Sequence, residues 1–145
     1  MKTSEKPKKY ISKTKYWEIY LHPDQYYLGR CVVVVKRDVA SMSGLSNEEW
    51  LDFAKLVKKI EAGFKKAFGA TMFNWTCLMN GAYQESPAKP WVHWHLRPRY
   101  GKSVKFAGMK FEDKEFGHHY ARSTDRLVSL DIEEKIIKAA RKVLD

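Results

Sequence analysis

The chain has 145 residues, of which 44% are hydrophobic and 30% are charged, and its formal net charge is +10. This composition is typical of one globular domain, and no apolar run approaches the roughly 20 residues that a bilayer-spanning helix requires. The lysine-rich start of the chain has no apolar stretch behind it, which argues against a signal peptide and predicts a cytoplasmic protein.

The positive charge is concentrated at the N-terminus. Residues 1–16 carry six lysines against one glutamate, which accounts for +5 of the net +10. We predict a basic flexible tail over residues 1–15 and a single domain over residues 16–145. The mildly basic remainder suits a phosphate-bearing ligand. A nucleic-acid-binding or end-processing module stays open as an alternative, although neither nucleic acid nor a membrane is the favoured partner.

The first half of the chain predicts two strands and a helix. Residues 16–21 are rich in aromatic and β-branched side chains, and the four valines at 32–35 indicate a buried strand. Ser46 and Glu49 then form a capping-box pattern. Apolar residues follow at three- and four-residue steps, so we predict a long helix that ends at Gly69.

The second half predicts two more strands and a second helix. The strands lie at 71–79 and 91–97, and residues 99–125 lack a sustained period, which predicts an ordered but irregular segment. The last helix covers about 131–144, with Asp131 and Glu134 as its capping pair. This order of elements predicts an α+β fold in which two main helices pack against an antiparallel sheet.

The strand at 91–97 carries the residues most suited to chemistry. Because side chains alternate across a strand, His93, His95 and Arg97 share one face with Trp91, while the apolar residues between them face the core. A neutral imidazole is a nucleophile near pH 7, and a guanidinium binds phosphate oxygens in two-pronged fashion. The pattern indicates phosphoryl or nucleotidyl transfer that requires no magnesium ion or other cofactor.

Two other interpretations of these histidines remain open. They could be ordinary polar groups on the surface of the protein. Alternatively, His-x-His on a strand is a zinc-binding geometry, to which His118 and His119 could add ligands, although no carboxylate accompanies them. The sequence does not decide whether His118 and His119 reach the site.

The segment 91–99, Trp-Val-His-Trp-His-Leu-Arg-Pro-Arg, resembles the signature of the histidine triad (HIT) family. The resemblance extends to residues 25–37 and to the spacing between Asn80 and the motif. Residues 106–117 are similar to microbial members of the family, so the resemblance covers about residues 16–145. It implies a HIT-like fold and a homodimer.

The resemblance also implies an activity and a set of site residues. His93 would attack the α-phosphorus of a nucleotide and form a nucleotidyl-histidine intermediate, and His95 would contact phosphate oxygens or assist the leaving group. The residues that would bind the nucleotide or its phosphates are Asn80, Arg97, Lys89 and, near the nucleoside, His22. The implied substrates are dinucleoside polyphosphates or nucleoside phosphoramidates, with adenosine as the expected base.

Two positions depart from the family pattern. Trp91 occupies the first triad position, and Arg30 stands where the family often has a supporting histidine. In the family the nucleophile is oriented by the backbone carbonyl of the first triad residue, which a tryptophan retains. The departures leave a catalytically weakened nucleotide sensor as an alternative. Related enzymes that transfer the nucleotidyl group to phosphate or a sugar phosphate tend to carry glutamine in place of His95, so His95 favours hydrolysis.

Overall fold

A computed structural model describes residues 8–145, in which seven strands and two α-helices follow one another along the chain. The strands are β1 (Lys9–Lys13), β2 (Trp17–Leu21), β3 (Cys31–Val35), β4 (Met72–Thr76), β5 (His93–Arg99), β6 (Val104–Phe106) and β7 (Met109–Phe111). The helices are α1 (Asn47–Phe68) and α2 (Leu130–Leu144).

The first five strands form one antiparallel sheet in the order β1-β2-β3-β5-β4. One face of this sheet and the apolar faces of α1 and α2 enclose the core, which includes Trp17, Val33, Leu96, Phe64 and Ile136. This arrangement confirms the predicted α+β fold. No helix in the part of the chain that is described combines the length and apolar character of a membrane span.

Helix α1 begins and ends as predicted. The Glu49 amide donates to the Ser46 hydroxyl at 3.1 Å, and the Ser46 amide donates to the Glu49 carboxylate at 2.8 Å. Gly69 ends the helix in the left-handed conformation, with φ of 80°, which a glycine adopts without steric cost. The strongest sequence signal therefore gives the correct helix.

The predicted flexible tail is wrong for residues 9–13, which form the edge strand β1. Ile11 is 1% exposed in the core, and its carbonyl accepts a hydrogen bond from Arg141 of α2 at 2.8 Å. The Lys9 ammonium lies 3.7 Å from Glu133 and 3.6 Å from Glu134, so acidic residues of α2 offset part of the charge that suggested a solvated tail. Residues 1–7 of the predicted tail lie outside the described residues.

Three smaller predictions also need correction. Helix α2 is capped by Ser129, whose hydroxyl accepts from the Ile132 amide at 3.3 Å, and Asp131 instead pairs with Lys135 at 3.1 Å. The irregular segment contains the hairpin β6–β7, whose three-residue strands are too short to produce a period in the sequence. Strand β4 ends at Thr76, three residues before the predicted end.

We predict that Ser46→Ala lowers the free energy of unfolding by about 1 kcal/mol, because the Glu49 amide loses its capping partner. Urea denaturation followed by tryptophan fluorescence measures the change. Ser43→Ala is the matched control, since the exposed Ser43 hydroxyl has the Ser41 hydroxyl as its one hydrogen-bond partner among residues 8–145. Equal denaturation midpoints for the two variants would contradict the capping role.

Candidate active site

The site lies on the face of the sheet opposite the helices. His93 and His95 of β5 pair with Val34 and Val32 of β3, and His95 also pairs with Thr76 of β4. Residues that are directly opposite in an antiparallel pair share a face. A cavity of about 370 Å³ opens there, and His93, His95, Arg97 and Asn80 line it together with Arg30, Thr76 and Tyr120.

A larger groove, of about 610 Å³, lies between α1 and α2. Lysines 59, 66 and 142 and small apolar residues line it, with no histidine, carboxylate or thiol among them. The described imidazoles that line a cavity therefore lie on the β5 side of the sheet and not in this groove. Within residues 8–145 no cluster of three or more histidine, cysteine or acidic side chains is arranged to hold a metal ion.

The His93 ring has a defined orientation. Its Nδ1 lies 2.8 Å from the Trp91 carbonyl oxygen. Because a carbonyl oxygen only accepts hydrogen bonds, Nδ1 carries the proton and Nε2 keeps a free lone pair in the neutral ring. The Trp91 indole in turn donates to the Val35 carbonyl at 2.8 Å, which anchors this residue to β3. The contact that the family resemblance implied for the first triad position is thus made by Trp91.

His95 is uncharged at neutral pH. Burial lowers its pKa to about 3, and the charge of Arg30 adds to this effect, followed by His93 and Arg97. Its Nδ1 is buried and has no hydrogen-bond partner among the residues described. The rings of His93 and His95 lie 5.2 Å apart, so His95 presents a neutral imidazole beside the nucleophile.

His22 supplies a third imidazole next to His95, with ring centroids 6.0 Å apart. Its Nδ1 accepts a hydrogen bond from the Asp24 amide at 3.0 Å, so the remaining proton is on Nε2. Burial and, after it, the charge of Arg30 lower the pKa of His22 to about 3. His22 lies behind His95 and is not among the residues that line the 370 Å³ cavity.

Arg30 is 8% exposed and is held by Asp24, whose carboxylate lies 3.1 Å from its Nη1. Burial lowers the pKa of Arg30 to about 10, which leaves the guanidinium charged at neutral pH. Burial alone would raise the pKa of Asp24, but hydrogen bonds from Thr124 and from the amides of Arg126 and Tyr26 bring it below its ordinary value. The ion pair lies within the β2–β3 connection, and the hydrogen bonds from Thr124 and Arg126 join this connection to the C-terminal segment.

Arg97 is 9% exposed and stacks on the ring of Tyr120, with its guanidinium carbon 3.8 Å from the ring centroid. Neither an ion pair nor a hydrogen bond to its guanidinium is found within residues 8–145. Two buried guanidinium groups therefore line the cavity, and only that of Arg30 has a carboxylate partner, Asp24, which is not among the lining residues. A buried charge without a counter-charge is unfavourable, and an anionic ligand would supply one.

The structure places only some of the remaining candidate residues at a cavity. Asn80 is exposed and begins a short helical turn, Asn80–Gln84, at the rim of the cavity. Lys89 is exposed and belongs to neither the 370 Å³ cavity nor the adjoining one of about 410 Å³. His119 lines the adjoining cavity. His118 is exposed, and its backbone is engaged: the amide donates to the Glu115 carbonyl at 2.8 Å and the carbonyl accepts from Arg99 at 2.9 Å.

Sequence reasoning missed several residues that shape this site. Thr76 carried a usable signal, because it alternates with Asn74 on the same side of the predicted strand as the cavity. Asp24, Tyr120 and Arg122 carried none: Asp24 meets the C-terminal segment at Thr124, 100 residues further along the chain. Contacts of that separation leave no local pattern.

Comparison with known proteins gives a consistent result. A solved histidine triad protein from Sinorhizobium meliloti 1021 superposes with a TM-score of 0.73 at 16% identity, over 97% of this chain and 92% of that one. One from Bradyrhizobium japonicum gives 0.70 at 14% identity, over 95% and 91%. These similarities show the fold. No match was found among curated proteins. The HIT domain model matches residues 3–102, and the chain therefore belongs to the HIT family.

Proposed function

We propose that the protein is a nucleotidyl hydrolase in which His93 forms a covalent nucleotidyl-histidine intermediate. The observation that carries the proposal is the hydrogen bond of 2.8 Å between His93 Nδ1 and the Trp91 carbonyl, which leaves Nε2 free at a cavity with an excess of positive charge. Membership of the HIT family supports nucleotide-binding or hydrolase-type function in general. The substrate is a nucleotide, with adenosine as the expected base.

The first step forms a bond between His93 Nε2 and the α-phosphorus and breaks the bond from that phosphorus to the leaving group. The electron pair of the broken bond departs with the leaving group. The imidazole acquires a positive charge, which the Trp91 carbonyl stabilises by accepting from Nδ1–H. Arg97, Arg30 and Asn80 stabilise the charge on the phosphoryl oxygens, and neutral His95 contributes a hydrogen bond.

In the second step water attacks the phosphorus, and the bond to Nε2 breaks. The electron pair returns to His93, so the neutral ring is restored. The products are a nucleoside monophosphate and a proton. Dinucleoside polyphosphates and nucleoside phosphoramidates both contain a bond of the required kind, and the family resemblance adds a homodimer to the proposal.

We predict that brief mixing with a diadenosine polyphosphate or an adenosine phosphoramidate yields adenosine monophosphate and a nucleotidyl adduct on His93. His93→Ala abolishes the adduct and lowers the rate by about a thousandfold or more, because the nucleophile is lost. Intact-protein and peptide mass spectrometry detect the adduct while released nucleotide is followed in parallel.

The matched control is His118→Ala, which removes an imidazole whose side chain does not line the cavity. It should retain turnover and the adduct. Nucleotide binding without adduct or turnover in the wild-type protein would refute the hydrolase proposal. That result would instead favour the nucleotide sensor that Trp91 and Arg30 left open.

The low pKa of His95 and His22 gives a second prediction. Imidazole ¹⁵N shifts of both residues should stay those of the neutral ring from pH 8 to pH 5, because both pKa values are about 3. The unfolded histidines titrate near their ordinary pKa of 6.5. Between these values the unfolded state binds more protons, so these residues stabilise the protein at pH 7 and lose that effect as the pH falls. A midpoint above pH 5 for His95 would contradict its neutral role.

A further inference from the structure

A second cavity, of about 410 Å³, continues from the one that holds His93. The two share Thr76, Leu78, Asn80, Arg97 and Tyr120 in their walls, and His119 and Arg122 belong to the second alone. These two residues, with Tyr120, come from the segment between β7 and α2. That segment lies beyond residues 3–102, which match the HIT domain. The second cavity is therefore built partly by a portion of the chain outside the shared family domain.

The chemistry of the second cavity suits an anion. Its walls contain the guanidinium groups of Arg97 and Arg122 and the His119 imidazole, and no acidic side chain. Arg97 is 9% exposed and lacks an ion-pair partner in the described part of the chain. Thr76 adds a buried hydroxyl without a hydrogen-bond partner there. These groups provide donors and positive charge for phosphate oxygens.

The same cavity is poorly suited to a nucleobase. Its aromatic ring, Tyr120, already stacks on the Arg97 guanidinium at 3.8 Å and contacts the His119 ring, which is tilted by 37° with ring centroids 4.2 Å apart. These contacts cover much of the ring surface on which a base would stack. Apart from Tyr120 and Leu78, the side chains that line this cavity are polar or cationic.

We propose that the second cavity is the leaving-group subsite and that the leaving group carries phosphate. This inference rests on the proposed function, in which the α-phosphoryl group is transferred to His93. When the bond between the α-phosphorus and the bridging oxygen breaks, the electron pair stays on that oxygen. Arg97, Arg122 and His119 then stabilise the negative charge of the departing phosphate.

The state of His95 is consistent with this assignment. An amine leaving group requires a proton as its bond to phosphorus breaks, whereas a phosphate departs as an anion. His95, with a pKa of about 3, is neutral at pH 7 and therefore a weak proton donor. A cationic subsite that accepts an anionic leaving group does not depend on such a donor.

Equilibrium binding tests the subsite without turnover. In His93→Asn protein with a chelator present, isothermal titration calorimetry compares AMP, which occupies only the α-phosphate site, with ATP, whose further phosphates reach the subsite. ATP should bind at least tenfold more tightly than AMP. Adding Arg122→Gln should reduce this preference to threefold or less. Lys105→Gln, which removes an exposed charge from β6 outside both cavities, is the matched control and should retain it.

Each other outcome overturns the inference. If Arg122→Gln leaves the ATP preference intact, the preference arises from the general positive charge of the protein and not from the second cavity. If Arg122→Gln lowers AMP and ATP affinity in parallel, the nucleoside occupies this cavity. If neither nucleotide binds the His93→Asn protein, the cavity is not a nucleotide phosphate site. If the Arg122-dependent preference is found but no His93 adduct forms, the hydrolase proposal fails and the leaving-group role fails with it, and the cavity is then a phosphate-binding site without that role.

Discussion

The candidate site depends on one buried carboxylate, that of Asp24, which is 1% exposed. It pairs with the Arg30 guanidinium and also accepts hydrogen bonds from the Thr124 hydroxyl and the Arg126 amide. The first contact fixes a cation in the wall of the cavity. The other two hold the C-terminal segment that carries Tyr120. Removing one partner of a buried ion pair costs about 3–5 kcal/mol, so the charge of the site and the shape of its wall depend on the same side chain.

Around this carboxylate the site maintains an excess of positive charge while His22 and His95 stay uncharged. Arg30 and Arg97 are both buried, and their fields add to burial in keeping His95 neutral. A nucleophilic imidazole must itself be neutral, and a neighbouring neutral ring does not repel the positive charge that His93 acquires on attack. The guanidinium groups can therefore attract phosphate while His95 stays in the neutral form that the proposed chemistry requires.

Local patterns in the sequence predicted the features that depend on local geometry. Alternation along β5 placed His93, His95 and Arg97 on one face, and the Ser46–Glu49 capping box located α1. Contacts between distant segments were inaccessible, as with Arg97 stacking on Tyr120, 23 residues away. Strand β1 was missed because its lysines dominate its composition, while the core contact that orders it comes from one residue, Ile11. The acidic partners on α2 that stabilise it lie more than 120 residues further along the chain.

The presence of tryptophan at the first triad position illustrates which part of that residue matters for the proposed mechanism. The orientation of His93 depends on the backbone oxygen of Trp91, which every amino acid provides. The indole adds a bond to the Val35 carbonyl of β3, which restrains the position of that backbone oxygen. The side chain that replaces the histidine therefore supports the geometry from outside the cavity. In this arrangement the identity of the first triad side chain is secondary. The position of that residue's backbone carbonyl determines the orientation of the His93 ring, and therefore whether His93 Nε2 is available for attack.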